Sequence, residues 1–251
     1  MDYPYSIHIA GQNILLHGIF EFLGVFIAFR YYLYLSRRKD DGINRTNRIW
    51  IIIAATFGAV LGARVVGSLE LVYELRITAN KLAYFWGNKT ILGGLLGGML
   101  AVEGMKKLIG EKHSSGDLIT FPLILGMIIG RIGCYSAGMF EETYGIPTTL
   151  PWGMNLGDGL ARHPVTLYEI AFLISMWVLL VQFEKRYVLT EGSRFKIFLM
   201  AYCLFRFLLD FIKPGWRYAF GLGTIQIAAL TGLLYYIRYI VKPSLLISHK
   251  R

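Results

Sequence analysis

Charge is scarce in this chain: only 17% of its 251 residues are Asp, Glu, Lys or Arg, and they are clumped rather than spread. A soluble domain of this length needs a polar shell to enclose its core, so the shortage argues against one. Cysteine is scarcer still. Cys134 and Cys203 both fall inside apolar segments, make no CxxC or metal-ligand spacing, and leave the redox compartment undefined. The start, Met-Asp-Tyr-Pro-Tyr, lacks a basic n-region, and no small-residue cleavage site follows the first apolar run. That run therefore reads as a retained helix and not a cleaved signal. No linker, composition shift or internal repeat divides the chain, which predicts a single domain over residues 1–251. The net charge of +10 comes without a basic helix or an aromatic single-strand platform, which removes nucleic acid as a partner. Basic loops facing an anionic cytoplasmic leaflet explain the surplus.

What the chain has in quantity is apolar side chain: 55% of residues, with a mean hydropathy of +0.50. A bilayer crossing takes roughly 20 apolar residues, and on that criterion about seven runs qualify. They lie at about 14–35, 49–72, 90–109, 117–138, 164–183, 195–212 and 219–241. The expected fold is an all-α polytopic membrane protein. Alternate loops and the span ends beside them collect Arg37, Arg38, Lys39, Arg45, Arg48, Lys106, Lys107, Lys112, Lys185, Arg186, Arg194 and Lys196, and the tail adds Arg238, Lys242, Lys250 and Arg251. The opposite loops hold only Arg76, Lys81, Lys89, Arg162, Lys213 and Arg217. Positive residues stay inside, so the N-terminus is expected outside and the C-terminus in the cytoplasm. Glycines at a spacing of four (Gly58/Gly62, Gly93/Gly97, Gly94/Gly98, Gly126/Gly130) predict bare stripes where helices approach closely.

Some polar residues stand where lipid should forbid them. A charge inside a span costs about 2.5–3.5 kcal/mol on insertion scales, so Glu21, Arg64, Arg131, Glu169, Arg206 and Asp210 each need a reason. With the orientation above, all arrive at similar depth beneath the outer surface, and Gln226 joins them. Arg206 and Asp210 are four apart and could form a private ion pair. Arginines from three helices at one depth point instead to an anion, since a guanidinium forks onto phosphate with two hydrogen bonds. The loop after the fourth span carries Cys134, Gly138, Glu141, Glu142, Trp152, Arg162 and His163, and reads as a cover over that site. Its glycines permit positive φ and close backbone approach.

The run GRIGCYSAGMFEETYG (130–145), followed by LPWG (150–153) and RHPVTLYE (162–169), resembles prolipoprotein diacylglyceryl transferase. Gly62-Ala63-Arg64, the Gly-Gly-Leu-Leu-Gly of 93–97, Tyr202-x-x-x-Arg206-Phe207 and Gln226 extend the similarity across spans two to seven. The resemblance implies a transferase of the inner membrane that moves diacylglycerol from phosphatidylglycerol to a lipobox cysteine and releases glycerol phosphate. It implies no cofactor and no metal. Its partners would be the bilayer, the phospholipid and a prolipoprotein signal peptide. Arg131 and Arg206 would hold the phosphate. Glu142, Glu141 or His163 would supply a base, and Arg64, Tyr202, Cys134, Gly138, Glu169, Gln226 and Arg162 would line the substrate site.

The chain departs from the family's pattern at three places. Leu92 stands where the family has a histidine before Gly-Gly-Leu, Cys134 replaces the signature asparagine, and Met139 occupies the place of its glutamate. Two other readings stay open on these grounds: a relative that lipidates a different acceptor, or a lipid-binding or transport protein that keeps the phosphate pocket without the chemistry.

Overall fold

In lipid every backbone N–H and C=O must be bonded within the protein, which leaves long apolar runs little choice but helix. The computed structural model describes residues 3–9, 11–39, 41–70 and 72–248; Lys250 and Arg251 of the basic tail lie outside them. The major helices are α1 (Leu16–Arg38), α2 (Arg45–Ser68), α5 (Ile91–Ile109), α6 (Gly116–Ala137), α7 (Val165–Arg186), α8 (Ser193–Leu209) and α9 (Thr224–Tyr235). Short helices α3 (Val72–Ile77), α4 (Lys81–Gly87) and α10 (Ile237–Val241) fill the connections. Several boundaries follow local rules. The Asn44 side chain accepts from Asn47 N at 2.8 Å at the start of α2, and the Thr90 hydroxyl accepts from Gly93 N at 3.2 Å at the start of α5. Gly110 closes α5 at φ 70°, a conformation that favours glycine. Basic pairs end α1, α5 and α7, where the helix dipole favours cations.

Among the described residues, four segments are long and apolar enough to cross a membrane: Leu16–Arg38, Arg45–Ser68, Gly116–Phe140 and Val165–Arg186. The other expected spans are shorter or more polar. Glu103, Lys106 and Lys107 crowd the end of α5, and α8 stops at Leu209 and continues only as a 3-10 turn, Asp210–Ile212. The expected run 219–241 does not form one helix. It begins at Thr224 and breaks at Tyr236, after which α10 is a single turn and a half. The second run ends at Ser68, so Leu69 to Thr90 forms a separate connection with its own small helices.

The structure is not wholly helical. Among the described residues, three two-stranded antiparallel ribbons lie outside the helices. They are β1 (Ser6–Ile9) with β2 (Gln12–Leu15), β3 (Met154–Asn155) with β4 (Ala161–Arg162), and β5 (Val188–Leu189) with β6 (Ile247–Ser248).

Helix contacts follow the glycines. A Cβ at Gly62 would stand 2.4 Å from the Gly93 carbonyl oxygen, and one at Gly97 would stand 2.4 Å from that of Gly58. Thus α2 and α5 meet backbone to backbone, as small residues allow. On the far side Gly24 and Gly126 bring α1 onto α6 in the same way. Gly130 differs from its partner in the expected stripe: nothing lies within 4 Å of its Cβ position. Gly62→Val is therefore expected to force the helices apart and lower the melting temperature in detergent by on the order of 10 °C. Gly130→Ala should leave it unchanged. Equal melting temperatures for both variants would contradict this packing. The apolar core lies among α5, α6, α7, α8 and α9, with Leu92, Ile124, Leu173, Phe198, Leu199, Tyr202 and Ile225 buried in it.

Candidate active site

The helices alternate in direction, so the start of α1, α5, α7 and α9 meets the end of α2, α6 and α8. Contacts at that end join distant parts of the chain. Thr90 N donates to Ala63 O at 3.1 Å, Tyr5 N to Ser136 O at 2.9 Å, and Lys89 pairs with Glu21. The polar residues that the sequence placed at one depth do lie at one end of the bundle. The opposite end is closed by its own clasp, in which Asp117 accepts from Gly192 N at 2.6 Å and Arg194 N at 2.9 Å.

Within the site end, two guanidinium groups converge on one carboxylate. Arg131 Nη2 on α6 lies 2.9 Å from Glu169 Oε2 on α7, and Arg206 Nη1 on α8 lies 3.3 Å from the same oxygen. The Tyr202 hydroxyl, one turn before Arg206, donates to the other oxygen, Oε1, at 2.7 Å. All four are buried; Glu169 is 2% exposed. Two cations against one carboxylate leave an uncompensated positive charge away from water, a costly state unless an anion joins it. The expected Arg206 partner, Asp210, makes no ion pair with it among the described residues; Arg206 turns to Glu169, and the Asp210 carbonyl oxygen accepts from Arg217 at 2.9 Å.

Beside this cluster runs a cavity of about 1250 Å³, between α1 and α6 on one wall and α2 and α5 on the other. Its polar end is lined by His17, Arg64, Arg131, Glu141, Glu142, Glu169 and Arg206, and its long apolar stretch by residues such as Val25, Phe29, Ile52, Ala59, Leu95 and Leu123. Among the described residues, several buried polar atoms on this lining have no hydrogen-bond partner: His17 Nδ1, Arg131 Nε, Thr143 Oγ1 and Arg206 Nε. Orphaned buried polar atoms are rare, and their clustering on one cavity marks a place for a polar ligand group. A long apolar wall beside it suits acyl chains.

Most of the sequence candidates surround this cavity, but some do not. Cys134 lines it, with Arg131 Nη1 donating to its Sγ at 3.6 Å. Arg64 also lines it and donates to the Trp86 and Asn88 carbonyl oxygens at the end of α4. Glu142 lies there too; loss of water and the neighbouring Glu74 and Glu70 carboxylates push its carboxyl above the usual range. Lys213, paired with Glu70 at 3.7 Å, is held below the ordinary lysine range by burial.

His163 and Arg162 lie off the cavity. The His163 backbone bonds to both Gly145 and Ile146, and its Nδ1 is 3.1 Å from the Tyr168 hydroxyl, which accepts from Trp152 Nε1 at 2.7 Å. Arg162 is taken by Asp158, 2.6 Å away. Gly138, at φ 59°, turns the chain at the end of α6 against the Leu156 carbonyl. Gln226 is spent within the fold: its Oε1 accepts from Gly223 N at 2.8 Å and its Nε2 donates to Phe207 O at 3.3 Å. Leu92 is fully buried in the apolar core and is absent from the cavity wall. Among the described residues no group of three or more His, Cys, Asp or Glu side chains is set to hold a metal ion.

One residue escaped the sequence reading. His17, in the first turn of α1, has its Nε2 3.1 Å from Glu141 Oε1 and 3.8 Å from Glu21 Oε2. The only sequence signal was its spacing of four from Glu21 at the head of an apolar run, which is too common to single out.

Helices long enough to cross a bilayer define a membrane protein, and a buried cationic cluster lies beside a cavity of lipid dimensions. The comparisons agree. The profile of the prolipoprotein diacylglyceryl transferase family matches residues 4–242. A phosphatidylglycerol–prolipoprotein diacylglyceryl transferase of Bordetella bronchiseptica is 30% identical over 224 residues, covering 84% of this chain and 82% of that protein. Proteins of the same name from Finegoldia magna (27% identical; 92% and 93% covered) and Campylobacter lari (26% identical; 94% of each) match nearly end to end. The chain belongs to the prolipoprotein diacylglyceryl transferase family.

Proposed function

We propose that this protein transfers a diacylglyceryl group from phosphatidylglycerol to the lipobox cysteine of a prolipoprotein, releasing glycerol phosphate. The observation that carries the reading is the Arg131–Glu169–Arg206 cluster, two buried guanidinium groups on one carboxylate with unpartnered Nε atoms beside a lipid-sized cavity. The headgroup phosphate supplies the missing anion, and the acyl chains lie along the apolar wall. As the glyceryl C–O bond breaks, charge grows on the phosphate. Fixed cationic donors stabilise that charge more than they stabilise the bound lipid, which is what accelerates the step. Glu169 holds the two arginines in place, and Tyr202 holds Glu169.

The same reading makes the chain a multi-pass inner-membrane protein with about seven crossings, the site end outward and the C-terminus cytoplasmic. Cytoplasmic reporters fused after Arg45 or Lys112 should be active, and one at Asp158 inactive; activity at Asp158 would overturn the orientation. Purified protein incubated with labelled phosphatidylglycerol and a lipobox peptide should yield a thioether-linked peptide together with glycerol phosphate. The replacement of the family's asparagine and glutamate by Cys134 and Met139 favours one second reading, a different acceptor. Glycerol phosphate released without peptide modification would select it.

A further inference from the structure

We propose that His17 is the base that takes the acceptor thiol's proton, oriented for that task by Glu141. The inference rests on the transferase reading above. His17 lines the cavity with Arg131 and Cys134, and its side chain is only 14% exposed. Its Nε2 faces the Glu141 carboxylate at 3.1 Å. A negative carboxylate at that distance favours the neutral tautomer with the proton on Nε2. That leaves the Nδ1 lone pair buried and without a hydrogen bond among the described residues, on a ring whose neighbour is the Cys134 thiol. A carboxylate on one ring nitrogen and an open lone pair on the other is the arrangement of an oriented general base.

Two of the other candidates are engaged elsewhere, and Glu142, also on the cavity wall, is the base from which the test below separates His17. His163 sits off the cavity, tied to Tyr168, and Glu141 is occupied by His17. Leu92, at the family's histidine position, carries no proton-accepting group and lies in the apolar core. The position of His17 is itself built in. A Cβ at Gly133 would stand 3.0 Å from the His17 carbonyl oxygen, so glycine there lets α1 close on α6 and brings the ring to Cys134. The ribbon β1–β2 feeds directly into the helix, and Leu16 N donates to Tyr5 O at 3.0 Å.

In the step this implies, the thiol proton moves to His17 Nδ1 as the sulfur pair forms a bond to the glyceryl methylene carbon. The C–O bond to phosphate breaks, and its electron pair leaves with glycerol phosphate beside Arg131 and Arg206. The imidazolium then gives its proton to water. The groups facing the ring are Glu21 on its own helix, Glu141 after α6 and Cys134 on α6, with Lys89 behind Glu21.

The test uses full-length protein in detergent with labelled phosphatidylglycerol and a lipobox peptide. His17→Gln is expected to lower kcat by on the order of 10²–10³-fold while KM for the phospholipid stays within about threefold. His17→Ala should regain turnover on addition of imidazole, with the gain rising with pH as free imidazole loses its proton. Glu141→Gln should lower kcat by a smaller factor. His17→Gln with turnover within about threefold of native, or His17→Ala with no response to imidazole, would overturn the assignment. Native protein that makes no thioether would defeat the transferase reading first, independently of His17.

Discussion

Arg131→Lys is expected to lose turnover by on the order of 10²–10³-fold, the usual cost of removing a donor aimed at developing charge, while the protein still folds. Arg131 does several things at once. Its Nη2 holds Glu169 at 2.9 Å, its Nη1 reaches Cys134, and its Nε lies buried with no partner among the described residues. A planar fork can keep Glu169 and still present N–H groups to a phosphate; an ammonium is a point charge on a flexible stem and cannot hold both geometries. Because the positive charge is kept, the buried pair with Glu169 survives and so does the fold. Arg206→Lys should behave in the same way, its buried partner being Glu169 and not Asp210. The measurement is kcat beside detergent melting temperature. Near-native turnover in both folded variants would make the arginines structural.

Glu169→Gln is expected to be the most destabilising of the site substitutions. The carboxylate is 2% exposed and is shared by Arg131, Arg206 and Tyr202. Removing one partner of a buried pair costs about 3–5 kcal/mol, because the remaining charge is left buried and unpaired. Here two guanidinium groups are left facing each other, which corresponds to a fall in melting temperature on the order of 10 °C. Turnover falls as well, since nothing then fixes the arginines. Phosphatidylglycerol should raise the melting temperature of Glu169→Gln by more than that of the native protein, because its phosphate replaces the lost anion. A variant as stable as native would mean that Glu169 does not anchor the cluster.

Much of this site could be read from the chain because lipid makes charge expensive. Arg131, Glu169 and Arg206 stood out as charges inside apolar runs, and the positive-inside bias gave them a common depth; the structure places them in contact. The partner choice was harder. Asp210 sits one turn from Arg206 in sequence, but α8 ends at Leu209 and Asp210 begins a 3-10 turn, while Glu169 approaches across the helix interface. Local spacing cannot reveal a contact made between helices. His163 beside Arg162 looked like site chemistry because loop histidines and acids often are, yet its backbone is stitched to Gly145 and Ile146 as part of the loop's framework.

Glycine stripes were legible for the same reason as the charges. Gly58, Gly62, Gly93 and Gly97 fall at helical spacing, and backbone contact between α2 and α5 is what that spacing gives. Gly130 shows the limit, since the same pattern at α6 leaves open space where a partner helix would be. The break at Tyr236 had no proline to announce it. His17 was hidden because its meaning comes from Glu141, far away in sequence, and from a ring nitrogen left unpaired by folding.

The central claim is that Arg131 and Arg206 together bind the phosphate of a membrane phospholipid. The most direct measurement compares the melting temperature of the purified protein with phosphatidylglycerol and with diacylglycerol of the same acyl chains, for native protein and for the Arg131→Lys/Arg206→Lys double variant. Phosphatidylglycerol should stabilise the native protein well beyond diacylglycerol, and the double variant should lose that difference. Equal stabilisation by the two lipids, or an undiminished response in the double variant, would contradict a phosphate site at these arginines.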